Sequence, residues 1–187
     1  DAAKTLVRVT PSVRDPAARA RIHVDTGILL AHAGDRKRAK VTLSSILTSE
    51  VPSAILSASY ALLELYSGDN EIKAYGETLE RIVTLEEDPE RAVEVTHLLA
   101  QFADEQEDKN RALLAYRRLL KTEHRTAALE RLETLSGELE DWGALTEVLF
   151  ERAKESEDPL QARSLLFRRA VIFGTQLGDI GQAVTAW

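Results

Sequence analysis

GDRKRAKVTL, residues 34–43, is the stretch that decides the fold, because it returns four times in altered form. The other copies are GDNEIKAYGETL (68–79), EDKNRALLAY (107–116), EDWGALTEVL (140–149) and GDIGQAVTAW (178–187). In each an aspartate, Asp35, Asp69, Asp108, Asp141 or Asp179, stands where a helix N-cap belongs. Its carboxylate is placed to accept a hydrogen bond from a free backbone N–H of the following turn. Four residues later come Ala39, Ala112, Leu145 and Ala183, while the second copy is out of step, with Ala74 five residues after its aspartate. Gly34, Gly68 and Gly178 precede three of the caps, where glycine takes the left-handed conformation that ends a helix. Each Gly-Asp pair reads as a stop and a start together, the mark of a tight helix–turn–helix hairpin.

The five aspartates are 34, 39, 33 and 38 residues apart, which predicts two alternating kinds of repeat. A second marker agrees: Asp15-Pro16, Asp88-Pro89 and Asp158-Pro159 recur 73 and 70 residues apart, each 20 or 21 residues before a turn aspartate. Proline at the first helical position gives up no hydrogen bond, and its φ is already helical. The odd repeats are thus expected to open with a long helix after Asp-Pro, and the even ones near Pro52 and Thr122 with a shorter first helix. The predicted boundaries are a tail of a preceding repeat at 1–14, repeats at 15–51, 52–87, 88–121 and 122–157, and an incomplete repeat at 158–187. Trp187 is expected to be the aromatic of a second helix cut short, and that helix to be frayed or under-packed.

Periodicity supports helices throughout. Leu113, Leu114, Tyr116, Leu119 and Leu120 form an apolar stripe at three- and four-residue spacing beside Arg111, Arg117, Arg118 and Lys121, and Leu129, Leu132, Leu135 and Leu139 repeat the pattern. Strand-type alternation is nearly absent. The predicted fold is all-α, antiparallel helix hairpins in about five repeats.

This pattern resembles the tetratricopeptide repeat. That family packs a small residue of its first helix against an alanine twelve residues on in its second; Gly27 and Ala39 fit those places, followed by Leu43 and Ile46. Ala100 with Ala112, Ala61 with Lys73 or Ala74, and Ala170 or Val171 with Ala183 give weaker versions, and the first-helix tryptophan of the family is missing. The resemblance covers nearly the whole chain and implies that the hairpins stack into a right-handed α-solenoid. It implies a superhelical inner wall lined by first helices: Arg21, Val24, Ile28 and Ala31 in the first complete repeat, Glu94, His97, Gln101 and Asp104 in the third, and Ser164, Phe167, Val171 and Gly174 in the fifth. Arg21, Glu94, His97, Gln101 and Asp104 are the polar candidates for holding a peptide.

Composition narrows the function classes. The 187 residues are 44% hydrophobic and 29% charged, enough to bury a core. A net charge of −7 and a pI near 5.2 oppose general attraction to nucleic acid or anionic membrane, the RKRAK cluster at 36–40 notwithstanding. The longest nearly apolar run, AILSASYALLELY at 54–66, is too short to span a bilayer. Cysteine is absent, and the four histidines, His23, His32, His97 and His124, lack metal-ligand spacing. No phosphate loop, dinucleotide fingerprint or nucleophile elbow occurs. Acidic clusters such as Glu86-Glu87-Asp88 precede helix starts, where they favour the positive end of the helix dipole. Tyr60, Tyr66, Tyr75, Phe102, Tyr116, Phe150, Phe167 and Phe173 are expected in the core.

The expectation is therefore a non-enzymatic scaffold without cofactor or metal, a segment of a larger repeat protein that holds a protein or peptide on its concave face. The alternative is a peptide- or ligand-sensing region controlling an effector domain outside the segment. An excess of arginine over lysine, 17 to 7, suggests a bacterial source, and the compartment is open between cytoplasm and periplasm.

Overall fold

The computed structural model describes residues 2–186, with side chains at all of them except positions 4, 7, 9 and 11. Among the described residues there are helices and turns and no strand. The α-helices are α1 (Ala2–Val9), α2 (Pro16–His32), α3 (Arg36–Ser44), α4 (Pro52–Gly68), α5 (Ile72–Leu85), α6 (Pro89–Glu105), α7 (Lys109–Leu119), α8 (Arg125–Glu138), α9 (Trp142–Glu155), α10 (Pro159–Thr175) and α11 (Ile180–Ala186). Short 3₁₀ turns follow α1 and α3. Helix pairs α2/α3, α4/α5, α8/α9 and α10/α11 pack as hairpins, and a tight turn joins α6 to α7. The helices group into two compact units, residues 1–95 and 96–187.

Within the first unit α2 and α3 both pack on α4, and Leu43, Ala58 and Leu62 are sealed from solvent between them. In the second, α9 packs on α10, and Leu145, Leu149, Ala153, Leu165 and Ile172 form one apolar cluster. Neither hairpin in such a pair hides its apolar face alone; stacking supplies the missing partner surface.

One turn design recurs four times. The residue before each cap is left-handed: Gly34 (φ 82°), Asn70 (56°), Glu107 (54°) and Glu140 (54°). The next residue donates its N–H five residues back, from Asp35 to Leu30, Glu71 to Tyr66, Asp108 to Ala103 and Asp141 to Ser136, all at 2.9–3.0 Å. That closes the preceding helix as a Schellman-type end. The aspartate carboxylates then open the following helix, accepting from the N–H of Arg38 (3.2 Å), Arg111 (3.1 Å) and Ala144 (3.1 Å). The fifth turn keeps the cap, Asp179 accepting from Gln182 at 2.9 Å, and puts Gly178 at φ 67°, but its closing bond runs six residues back, to Phe173.

The second turn departs from the sequence expectation. Asp69 does not cap α5, Gly68 is not left-handed, and α4 continues through Gly68. Asn70 takes the left-handed position, which its short polar side chain tolerates, and Glu71 stands in the cap place without a side-chain cap bond. Tyr75, not Ala74, then corresponds to Ala39 and Ala112. Counted between the true cap positions the spacings become 36, 37, 33 and 38, so the strict alternation of repeat lengths disappears. The physical cause is Arg36, whose guanidinium donates to Asp69 Oδ1 (2.7 Å) and to the Leu65 carbonyl (2.8 Å) at the end of α4. A Cβ on Gly68 would sit 2.6 Å from that guanidinium, so glycine here admits the arginine.

The expected shorter first helix in even repeats holds for α8, at 14 residues, but not for α4, which at 17 equals α2, α6 and α10. Pro52 opens α4 as Pro16 opens α2, although Val51 before it offers no capping side chain. Two aromatics expected in the core lie outside it, Phe167 at 52% exposed and Phe150 at 37%, and Leu114 of the apolar stripe is 61% exposed. Ile180 and Val184 of α11 are likewise open to solvent, and Trp187 lies outside the described residues.

Non-glycine residues in the left-handed region cost about 1–2 kcal/mol, against roughly 0.5–1 kcal/mol of extra unfolded-state entropy for glycine. Glu140→Gly is therefore expected to stabilise the chain by a few tenths to about 1 kcal/mol. A urea midpoint that falls instead would contradict the left-handed assignment at that turn.

Candidate peptide-binding faces

Helix α2 starts firmly: Asp15 accepts from the N–H of Ala17 (3.2 Å) and Ala18 (3.1 Å), and Pro16 occupies the first helical position. From there the intervals of three and four residues bring Arg21, Val24, Ile28 and Ala31 onto one face. That face meets α4, and Arg21, Val24 and Ile28 border a groove of about 560 Å³ with Val51, Ser53, Ala54 and Ser57 on its other side. A second hollow of about 500 Å³ shares Ile28 and Ser57 with it and is lined further by Ala31, His32, Arg36, Tyr60, Ala61 and Glu64. Arg21 is exposed and Ile28 and Ala31 are half-buried along these hollows, whereas Val24, 3% exposed, belongs to the core beneath them.

The groove's far end is fixed by charge. Lys40 joins Arg36 on Asp69 and also holds Glu71. The hydrogen bond from Lys40, with that from Arg36, keeps the Asp69 carboxyl below the usual carboxylate range in spite of partial desolvation. Burial works against the Lys40 charge, but the two carboxylates outweigh it and raise its pKa. Tyr60 donates its hydroxyl to Glu86 (2.6 Å); burial and then that bond push the phenol above its ordinary value.

The sequence reading missed the α4 side of this groove. Aligning Pro52 on Pro16 would have placed Ser57, Tyr60 and Glu64 opposite Arg21, Val24 and Ile28, and these three line the observed hollows. The shifted second turn concealed that register.

Helix α6 carries the other candidates. In its first half, within the first unit, Glu94 is exposed. In the second unit Gln101 is exposed, and the half-buried His97 stacks on His124, ring centroids 4.3 Å apart and planes 6° from parallel. His97 Nδ1 is buried with no hydrogen-bond partner among the described residues. Desolvation, and then the nearby His124, lower the His97 pKa below its ordinary 6.5. A depressed pKa means the folded state binds fewer protons than the unfolded one, so stability present above pH 6.5 is lost as pH falls towards the folded pKa. His97→Gln should flatten the pH dependence of unfolding from pH 6.5 down to about 5, above the range of ordinary carboxylates. An unchanged slope would contradict the depressed value.

Asp104 is engaged inside the second unit. It accepts the Tyr116 hydroxyl at 2.7 Å and the Arg131 guanidinium at 3.0 and 3.1 Å. Burial and this hydrogen bond push the Tyr116 phenol up to about 12, and the Asp104 bond raises Arg131. On α10, Ser164, Phe167 and Val171 are exposed and Gly174 is half-buried, with a Cβ there falling 3.8 Å from that of Ala183.

Among the described residues no group of three or more His, Cys, Asp or Glu converges to hold a metal, and no helix is long and apolar enough to cross a membrane. No protein-family profile matches the chain, and no curated protein matches it. Among solved structures it is similar to one described as the nearly identical TPR-like repeats of a kinesin light chain from Podosopora anserina. The identity is 16%, coverage is 93% of each chain, and the TM-score is 0.42. The architecture stands on the chain's own turns and contacts: among the described residues it is a series of antiparallel helix hairpins.

Proposed function

We propose that the chain is a protein-interaction scaffold that holds an extended or helical segment of a partner along its first helices. The observation that carries this is the pair of adjoining α2/α4 hollows, bordered by Arg21, Ile28 and Ala31 on one side and Ser57, Tyr60 and Glu64 on the other, with Val24 buried beneath them. It combines an apolar floor with a few polar side chains at its rims, the composition that gives burial energy together with register. Along α6, Glu94, His97 and Gln101 offer further polar contacts. Asp104 supports this face indirectly, by tying α6 to Tyr116 and Arg131.

Peptides selected from a random display library against the whole chain provide the test. Those that bind should lose at least about tenfold in affinity on Ile28→Glu, roughly the 1.4 kcal/mol that separates a filled apolar contact from a charged one. Changing Glu94, His97 and Gln101 together to alanine should weaken binders that use α6. Selected peptides that bind wild type and Ile28→Glu equally would count against the groove.

A further inference from the structure

The second unit contains five half-buried arginines, and four of them hold carboxylates. Arg111 pairs with Asp108, Arg125 with Glu151 and Glu155, Arg131 with Asp104, and Arg152 with Glu130 and Glu133. Arg169 on α10 has no carboxylate or carbonyl partner among the described residues, and its Nε is buried without a hydrogen bond. Its guanidinium lies between two rings, 4.6 Å from the Phe150 centroid and 5.1 Å from that of Phe173. Lys154 stands over Phe150 as well, at 4.5 Å.

A buried N–H without an acceptor costs roughly 1–3 kcal/mol, so a side chain is not left this way without compensation. The cation–π contacts supply part of it, and they also fix the plane of the guanidinium. The Nε itself has no open surface, so the groups left for a ligand are the Nη nitrogens of this half-buried side chain, which are suited to paired hydrogen bonds with a planar anion. We propose that Arg169, framed by Phe150 and Phe173, is an anchor site for an aspartate or glutamate side chain of a protein partner, with the carbon chain of that residue lying against Phe150. A protein carboxylate is favoured over nucleic acid or an anionic lipid surface because the whole chain carries −7, which repels an extended polyanion but leaves a single carboxylate on an otherwise neutral or basic partner free to approach. Phe150, 37% exposed, and the exposed Lys154 leave the approach open.

The source of the carboxylate rests on the scaffold reading, but the site lies on α9 and α10, and groove binding on α2/α4 can fail or stand without it. The test follows the Arg169 Nε–Hε cross-peak of the full chain, assigned by its loss in Arg169→Lys, at constant ionic strength. N-acetyl-glutamate amide is the probe, inorganic phosphate the competing arm and sodium chloride the control. The expected result is a saturable downfield shift with the glutamate probe, weakened about fivefold or more in Phe150→Leu. A shift no larger than with chloride overturns the site. Tighter binding of phosphate than of the glutamate probe overturns the carboxylate assignment.

Discussion

Gly27→Val is expected to destabilise the first unit by about 3 kcal/mol, the upper part of the usual range for overpacking a core. A Cβ on Gly27 would lie 2.5 Å from Leu43 Cγ and 2.7 Å from its Cδ2, and Leu43 is completely buried. The clash falls on the branch carbon of a side chain with nowhere to turn, so α2 and α3 must separate. Alanine at the same place costs less, because its better helix propensity returns about 1 kcal/mol. The diagnostic is coupling: Leu43→Ala alone should cost about 2–5 kcal/mol, yet combining it with Gly27→Val should recover at least about 1 kcal/mol of the sum. Urea unfolding of the four proteins measures this, and strict additivity would show that the two residues do not touch.

Leu149→Ala should be the most damaging single truncation in the second unit, at about 2–5 kcal/mol. Leu149 is fully buried in one cluster with Leu145, Ala153, Leu165 and Ile172, where α9 meets α10, so truncation leaves a cavity among them. Leu160→Ala on the next helix removes the same atoms from a residue 75% exposed and is expected within about 0.5 kcal/mol of wild type. Equal losses at the two sites would mean that this hairpin pair is packed differently.

What could be read from sequence follows the range of the interaction that decides it. Asp35, Asp108, Asp141 and Asp179 were legible as caps because a carboxylate three residues from its N–H needs no distant help. Asp69 was misread because its partners are Arg36 and Lys40 on the preceding hairpin, some thirty residues away, and they hold it as the end of α4. Leu114, Phe150 and Phe167 sit at apolar helical spacing, but spacing does not reveal which face a neighbour covers. The α2 side of the groove was visible for the converse reason: Arg21, Val24, Ile28 and Ala31 share a face by helical geometry alone. Its α4 side depended on the shifted register. The ties from Asp104 to Tyr116 and Arg131, and the frame around Arg169, join separate helices and leave no local signal.

Hydrogen exchange of the whole chain, with and without a saturating library-selected peptide, tests the scaffold reading most directly. If the α2/α4 groove is the docking face, protection on binding concentrates in residues 16–32 and 52–68 and disappears with Ile28→Glu, while α5 and the part of α3 beyond Arg36, which do not line the groove, change little. Protection that falls mainly on α3 and α5, or that persists undiminished in Ile28→Glu, would contradict it.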